Sequence, residues 1–215
     1  MTLFGLVRHG QTDYNLRGLF QGSSDIPLND TGREQAHHAL EPLPAIPWDT
    51  VVSSPLQRAE QTARIIAEDH DIPWGGTDVR LREIDWGAAE GRPVDEMERL
   101  YPDRSFPGRE DHQQVADRGY DALEDLEQRF PGKNVLVVAH GTLIRFLLSG
   151  IAERPLDSIP NGTLSVITLE GTTWGVEMIA GVAEERIVQV RSHDQNPRFI
   201  LDKPALIPGA APRPL

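Results

Sequence analysis

Short apolar runs and helical periodicities alternate along most of the chain. Leu3 to Arg8 is apolar, short and stopped by His9-Gly10, the pattern of a buried strand. Asn29-Asp30-Thr31 supplies N-cap chemistry, and Glu34 follows Thr31 by three residues, so the pattern predicts a helix over Thr31–Leu40 opened by a capping box. Thr50 to Ser53 reads as a second strand. Pro55, tolerated at a first helical position, opens a helix to about Asp69, with Leu56, Ala59, Ala63, Ile66 and Ala67 at helical spacing. Val79–Ile84 is a short strand or an extended segment, Val94–Leu100 a helix stopped by Pro102, and Gln113–Arg129 a longer helix with Val115, Tyr120, Leu123 and Leu126 on one side. Asn134–Ala139 is apolar almost throughout, as a central strand covered on both faces must be, and a helix over Thr142–Gly150 follows it. Leu164–Leu169 and Trp174–Ile179 flank Glu170-Gly171-Thr172 as a hairpin.

Strands alternating with helices predict a three-layer α/β/α sandwich with a mostly parallel central sheet and an antiparallel edge hairpin. At 215 residues one domain, taken as residues 1–202, buries a full core. The Pro-rich tail, 203–215, is expected to be poorly ordered or to lie across the surface; its Leu206-Ile207 docks on the chain itself or on a second copy, which leaves a homodimer open. No run approaches the roughly 18 to 20 apolar residues of a membrane span, and the N-terminus lacks the marks of a signal peptide, so a cytoplasmic location is expected. The absence of cysteine excludes disulfides, thiolate chemistry and Cys-ligated zinc. The 21 Lys+Arg against 33 Asp+Glu give a net charge of −12, which disfavours nucleic acid and anionic membranes as partners and leaves small molecules.

In doubly wound sheets ligands bind beyond the carboxyl ends of the strands, and two histidines stand at such ends, His9 and His140. In Arg8-His9-Gly10 the glycine lets the backbone turn sharply while Arg8 offers a planar fork that fits a phosphate. His140-Gly141-Thr142 opens a helix whose free N–H groups make a ready phosphate site. Arg58 falls in the first turn of a helix, where the dipole disfavours a cation; a bound phosphate compensates, or else Glu60 or Glu83 does. Glu83 lies beside Trp86 and Gly87, a setting expected to desolvate the carboxyl in part and raise its pKa for general acid work. Each segment alone also fits a bland reading: a solvated strand end, a capping histidine, a surface ion pair, an acid in a loop.

Taken in order, LVRHGQTDYN at 6–15, SSPLQRAEQTA at 53–63, LREIDWGAAEG at 81–91 and VVAHGTLIR at 137–145 resemble the histidine phosphatase superfamily, also called phosphoglycerate mutase-like. The resemblance runs from about residue 3 to residue 170. It implies that His9 attacks phosphorus and becomes a phosphohistidine. Arg8, Arg58 and a charged His140 clamp the phosphoryl oxygens, and Glu83 protonates the leaving oxygen and then draws a proton from water. Asn15 is implied beside the phosphate, with Gln21, Gly22 and Gly141 among the substrate contacts. No metal and no other cofactor is implied. A carbonyl near Gly10 or Gly141 is expected to hold the second nitrogen of the nucleophile and fix its tautomer.

Other readings are weaker. His37 and His38, adjacent on a helix, point about 100° apart and cannot chelate one ion, and a cation between His9 and His140 is repelled by the flanking arginines. Family mutases carry a lid with clustered Arg and Lys after the Glu motif. Here Asp85–Gln114 is short and acidic, with Arg92, Arg99, Arg104 and Arg109 but no adjacent basic pair, which favours hydrolysis of small phosphomonoesters over mutase-type transfer. Where family phosphatases often show Pro-Gly-Gly-Glu-Ser, this chain has Pro107-Gly108-Arg109-Glu110-Asp111; Arg109 then reaches a second anionic group of the substrate or pairs with surface acids. Trp86 stacks on the substrate or shields Glu83. A catalytically silent phospholigand-binding protein is the alternative from another class, and the intact set of Arg8, His9, Arg58, Glu83 and His140 argues against it.

Overall fold

Residue parity along the two central strands decides which side chains face which helix layer. In the computed structural model, which describes residues 1–41 and 46–190, β1 (Thr2–Arg8) sends Phe4 and Leu6 to one face and Val7 to the other. The central β4 (Asn134–Ala139) splits likewise, Val135, Val137 and Ala139 against Leu136 and Val138. Both strands are almost fully buried, as their flat apolar sequences require. The first face is covered by α5 (His112–Arg129) and α6 (Gly141–Ala152), the second by α3 (Gln57–Asp69), through Ala59, Ala63 and Ile66, and by the turn that leaves α2 (Asp30–His37), through Ala39.

The sheet is completed by β2 (Thr50–Ser53), β3 (Trp74–Thr77), β5 (Leu164–Glu170), β6 (Thr173–Ile179) and β7 (Val182–Val190), in the order β3-β2-β4-β1-β5-β6-β7. β3, β2, β4 and β1 are parallel; β5, β6 and β7 each run antiparallel to the strand before. This is the expected three-layer class, with an antiparallel edge of three strands rather than a hairpin. Two short helices, α1 (Asp13–Leu16) and α4 (Val94–Leu100), lie in the connections. Among the described residues no helix is long and apolar enough to cross a membrane. The tail 203–215, with Leu206 and Ile207, lies outside the described residues.

Several boundaries differ from expectation for physical reasons. The cap of α2 is Asn29, whose side chain accepts from Gly32 N at 2.9 Å, so the helix opens before Thr31 and no Thr31–Glu34 box forms. α3 starts at Gln57, because Leu56 keeps an extended backbone and its N–H goes to Ser54 Oγ at 3.3 Å. Val79–Ile84 is not a strand: Val79–Leu81 make a 3₁₀ turn capped by Asp78. The edge strand β3 falls on Trp74-Gly75-Gly76-Thr77, whose glycines hide it from any strand pattern; a Cβ on Gly75 would meet Thr50 Oγ1 at 2.7 Å and Val52 Cγ2 at 2.8 Å. β7 falls on a charge-rich stretch that lacks a strand signature.

The loop after β1 is locked by glycine. Gly10 lies so close to α2 that a Cβ would come within 2.1 Å of Gly32 O. Gly10→Ala is therefore expected to lower the unfolding free energy by about 1 to 3 kcal/mol through forced backbone displacement, read as a lower urea midpoint at unchanged m-value.

Candidate active site

Three neighbouring parallel strands end together. Arg8 pairs with Ala139 and Ser53 with Val138, so the residues leaving β1, β4 and β2 emerge side by side. His9 N donates to Ala139 O at 3.0 Å and Ser54 N to Val138 O at 3.0 Å, which carries the alignment one residue past each strand. The rings of His9 and His140 consequently lie 5.1 Å apart between centroids, close to the spacing of adjacent strands. His9 is 3% exposed and His140 is fully buried.

His9 Nδ1 is 2.7 Å from Gly10 O, the carbonyl expected to fix the tautomer: Nδ1 carries the proton and donates, and Nε2 keeps its lone pair. The backbone carbonyl of His9 accepts from Asn161 Nδ2 at 2.9 Å, and Gly10 N donates to Thr62 Oγ1 at 3.0 Å. Burial, then the charges of Arg58 and Arg8, push the His9 pKa well below 6.5, against a smaller opposing effect of the Gly10 bond. His140 is depressed likewise, by burial, Arg58, His9 and Arg8, so the charged His140 expected from the motif is a neutral ring here. Its Nε2 is 2.8 Å from Ser54 Oγ, and Nδ1 is buried without a hydrogen-bond partner among the described residues.

Arg58 has no exposed surface. Its Nη2 donates to Gly22 O and its Nη1 to Ser24 O, both at 2.8 Å. Thr12 orients the third contact. The Thr12 hydroxyl gives its proton to Asn15 Oδ1 at 3.1 Å, so Gln21, 2.5 Å away, must present its amide nitrogen to Thr12 and its oxygen to Arg58, 2.8 Å from Nε. The cation at the start of α3 is thus held by carbonyl oxygens rather than by Glu60, which pairs with Arg64. Burial lowers its pKa to about 10, against the pull of Glu83, Asp25 and Glu90. Arg8 donates through Nη1 to Ile159 O and lies over Gly141, where a Cβ would be 3.0 Å from Nε; that Nε is buried and unpartnered among the described residues.

Glu83 occupies the place expected for a phosphate. Its carboxylate accepts from the first N–H groups of α6, Thr142 at 3.0 Å and Leu143 at 3.2 Å, and from Ile84 N at 3.0 Å. It sits on three backbone donors instead of in the apolar setting read from the sequence. The backbone behind it is held by Arg118, which donates to the carbonyls of Arg80, Arg82 and Glu83 and pairs with Glu110. Arg118, Asn161, Ser54 and Thr62 escape a reading of the sequence, because each acts on a residue far from it along the chain.

Several expected substrate contacts already have partners within the protein. Asn15 Oδ1 caps α1 and also accepts from Asn161 Nδ2 at 3.3 Å. Gln21 and Gly22 hold Arg58, and Gly22 N goes to Glu90 at 3.2 Å. Trp86 is 6% exposed and packs against Phe20 and Phe106, so it is core rather than a stacking platform. Arg109 donates to Arg104 O at 2.9 Å, which turns it back onto its own loop. His37 pairs with Asp69 and His38 with Glu41 at the surface, apart from one another's partners.

The chain matches the model of the histidine phosphatase superfamily, branch 1, over residues 4–180, past the residue 170 at which the motif resemblance fades. It is 40% identical over 181 residues to an uncharacterized phosphatase, PhoE, of Bacillus subtilis, covering 82% of this chain and 93% of that one. It is 34% identical over 188 residues to a probable phosphoglycerate mutase, GpmB, of Salmonella choleraesuis, covering 79% and 86%. Among solved structures it superposes on YhfR of Bacillus stearothermophilus with a TM-score of 0.76 at 27% identity, over 86% of this chain and 98% of that one. A mycobacterial glucosyl-3-phosphoglycerate phosphatase complexed with VO3 gives 0.70 at 27% identity, over 83% and 98%.

The two buried rings set a pH dependence of stability. Both have pKa values depressed below 6.5 in the folded chain and regain it on unfolding, so below pH 6.5 the unfolded chain binds more protons. Above that value they cost nothing. Below it each removes about 1.4 kcal/mol per pH unit until the folded-state pKa is reached. Urea denaturation between pH 7.5 and 5.5 should show stability falling from near pH 6.5, and His140→Gln should remove one ring's share of the slope. A slope unchanged by that substitution contradicts the buried neutral ring.

Proposed function

Because the chain belongs to the histidine phosphatase superfamily, we propose that it hydrolyses small phosphate monoesters through a phosphohistidine on His9. The observation that carries this reading is the Nδ1–Gly10 O bond at 2.7 Å on a neutral, buried ring flanked by two fixed guanidinium charges. It leaves the Nε2 lone pair as the nucleophile at neutral pH, where a charged imidazole has none.

In the first half-reaction Nε2 attacks phosphorus in line, the P–O ester bond breaks, and Glu83 delivers a proton to the departing oxygen. The ring then carries positive charge, which the Gly10 carbonyl stabilises. In the second, water attacks phosphorus, its proton passes to Glu83, the N–P bond breaks and inorganic phosphate leaves with His9 neutral again. Phosphoryl transfer of this kind demands positioning and charge stabilisation more than covalent help, and Arg8 and Arg58 supply both from rigid anchors. Two buried donors favour an anion in the pocket. One is Arg8 Nε, without a partner among the described residues. The other follows from Ser54, whose Oγ accepts from Leu56 N at 3.3 Å and can spend its only proton on His140 Nε2. His140 is then protonated on Nδ1 and offers a neutral N–H to a phosphoryl oxygen.

Hydrolysis is favoured over mutase-type transfer because three of the cations after Glu83 are already engaged. Arg92 pairs with Glu96, Arg104 with Glu98, and Arg109 donates to a carbonyl. We further infer that no metal ion takes part and that the partner is a small phosphomonoester.

Turnover of p-nitrophenyl phosphate with chelator present tests the reading. The wild-type chain should keep its activity in chelator, and His9→Ala should lose at least about 10³-fold in kcat. Glu83→Gln should cost about 10² to 10⁴-fold on an alkyl phosphate and much less with p-nitrophenolate leaving, since that leaving group needs no proton. Full activity in His9→Ala sinks the nucleophile. Phosphate binding without turnover assigns the chain to phospholigand binding instead.

A further inference from the structure

The mechanism above gives no role to Glu90, near the end of the LREIDWGAAEG stretch, yet that half-buried carboxylate gathers donors from both sides of the pocket wall. It accepts from Gly22 N at 3.2 Å, Ser23 N at 2.9 Å and Ser24 Oγ at 2.7 Å, and from Trp86 N at 3.2 Å. The opposite edge of the same three-residue strap gives the carbonyls of Gly22 and Ser24 to Arg58, each at 2.8 Å. Gly22–Ser24 is therefore clamped between one anion and one cation. The fit leaves no slack: a Cβ on Gly22 would meet Ile84 O at 1.9 Å and Glu90 Oε1 at 2.4 Å. Next along the chain, Asp25 accepts from Gln57 N at 2.7 Å and Gln57 Nε2 at 3.0 Å, which ties the strap to the helix that carries Arg58.

We propose that Glu90 is a positioning residue that sets the orientation and charge of Arg58 through the Gly22–Ser24 strap, and thereby how strongly the pocket grips a tetrahedral oxyanion. The proposal rests on the phosphoryl-binding reading of the pocket and deepens it. Two physical effects act in the same direction. The Gly22–Ser23 peptide donates its N–H to Glu90 while its carbonyl accepts from Arg58, and a peptide polarised at both ends is a better acceptor for a guanidinium than a free one. The Glu90 charge also offsets part of the burial cost of Arg58, as do Glu83 and Asp25, while Arg8 opposes them and His9 and His140 face the same cation as neutral rings.

A double-mutant cycle separates this role from plain structural support. Glu90→Gln keeps the size but turns an N–H₂ group toward N–H donors, so the strap loses its anchor. Binding of inorganic vanadate is measured by calorimetry at several pH values from 7 to 10.5, in chains carrying Arg58 and in chains carrying Arg58→Ala, with kcat/KM for p-nitrophenyl phosphate as a second readout. With Arg58 present, Glu90→Gln should weaken vanadate binding and lower kcat/KM about 10- to 100-fold. In the Arg58→Ala background it should cost nothing further. The alkaline loss of vanadate affinity should begin at lower pH in Glu90→Gln, because Arg58 gives up its proton more readily without the neighbouring anion. Should Glu90→Gln fail to fold, Glu90→Asp, which keeps the charge and withdraws it by one methylene, should show a smaller loss that again vanishes without Arg58. Equal losses in both backgrounds, or an alkaline limb that stays in place, overturn the proposal. Vanadate binding reads the coupling even where no ester is turned over, so failure of the hydrolytic reading is told apart from failure of this one.

Discussion

A guanidinium with no exposed surface, Arg58, is the constraint around which the pocket is built. Burying an unpaired cation costs several kcal/mol, and the chain meets that cost with acceptors that keep the charge unneutralised. Carbonyls of Gly22 and Ser24 and the amide of Gln21 surround it, while the nearest acids act on it electrostatically without pairing. A salt bridge would have solved the burial problem and consumed the charge. Carbonyl oxygens solve it and leave a positive potential for an incoming anion. The helix dipole at the start of α3 adds to that potential rather than relieving it.

The same potential explains the histidines. Two arginines and a dry setting keep both rings neutral, which looks wasteful only if the rings are meant as charges. For His9 neutrality preserves a lone pair. For His140 it leaves a ring that, in the proposed reaction, offers an N–H, with Ser54 choosing the tautomer. The positive charge of the site then resides on groups that cannot lose it near neutral pH, and the proposed reaction leaves proton traffic to Glu83.

Glu83 in turn takes the α6 N-terminus, where helix geometry alone would seat a phosphate. The N–H groups fix the carboxylate rather than the substrate. Behind it Arg118 and Glu110 brace the segment 80–85, as Glu90 braces the strap around Arg58. Glu83 and Arg58 are thus held by separate braces, one built on Arg118 of α5 and the other on Glu90 in the turn after Glu83, and both converge on the ends of β1, β4 and β2.

What could be read without coordinates was whatever is local along the chain. The apolar run of β4 and the helix over Val94–Leu100 follow from neighbouring residues, and the structure returns those bounds unchanged. The His-Gly steps at two strand ends and the order of four motifs identified the family, because such motifs are short-range statements about turns and side chains. Strands with glycine or charge in them, β3 and β7, stayed hidden, since their pairing is set by neighbours across the sheet. Tertiary structure alone decided that Glu83 caps α6, that Trp86 is core, that Arg109 folds back, and that Gln21 and Gly22 serve Arg58. Each is a question of which distant donor meets which acceptor, and burial settles it, because a polar group taken out of water must be satisfied by whatever the fold brings within 3 Å.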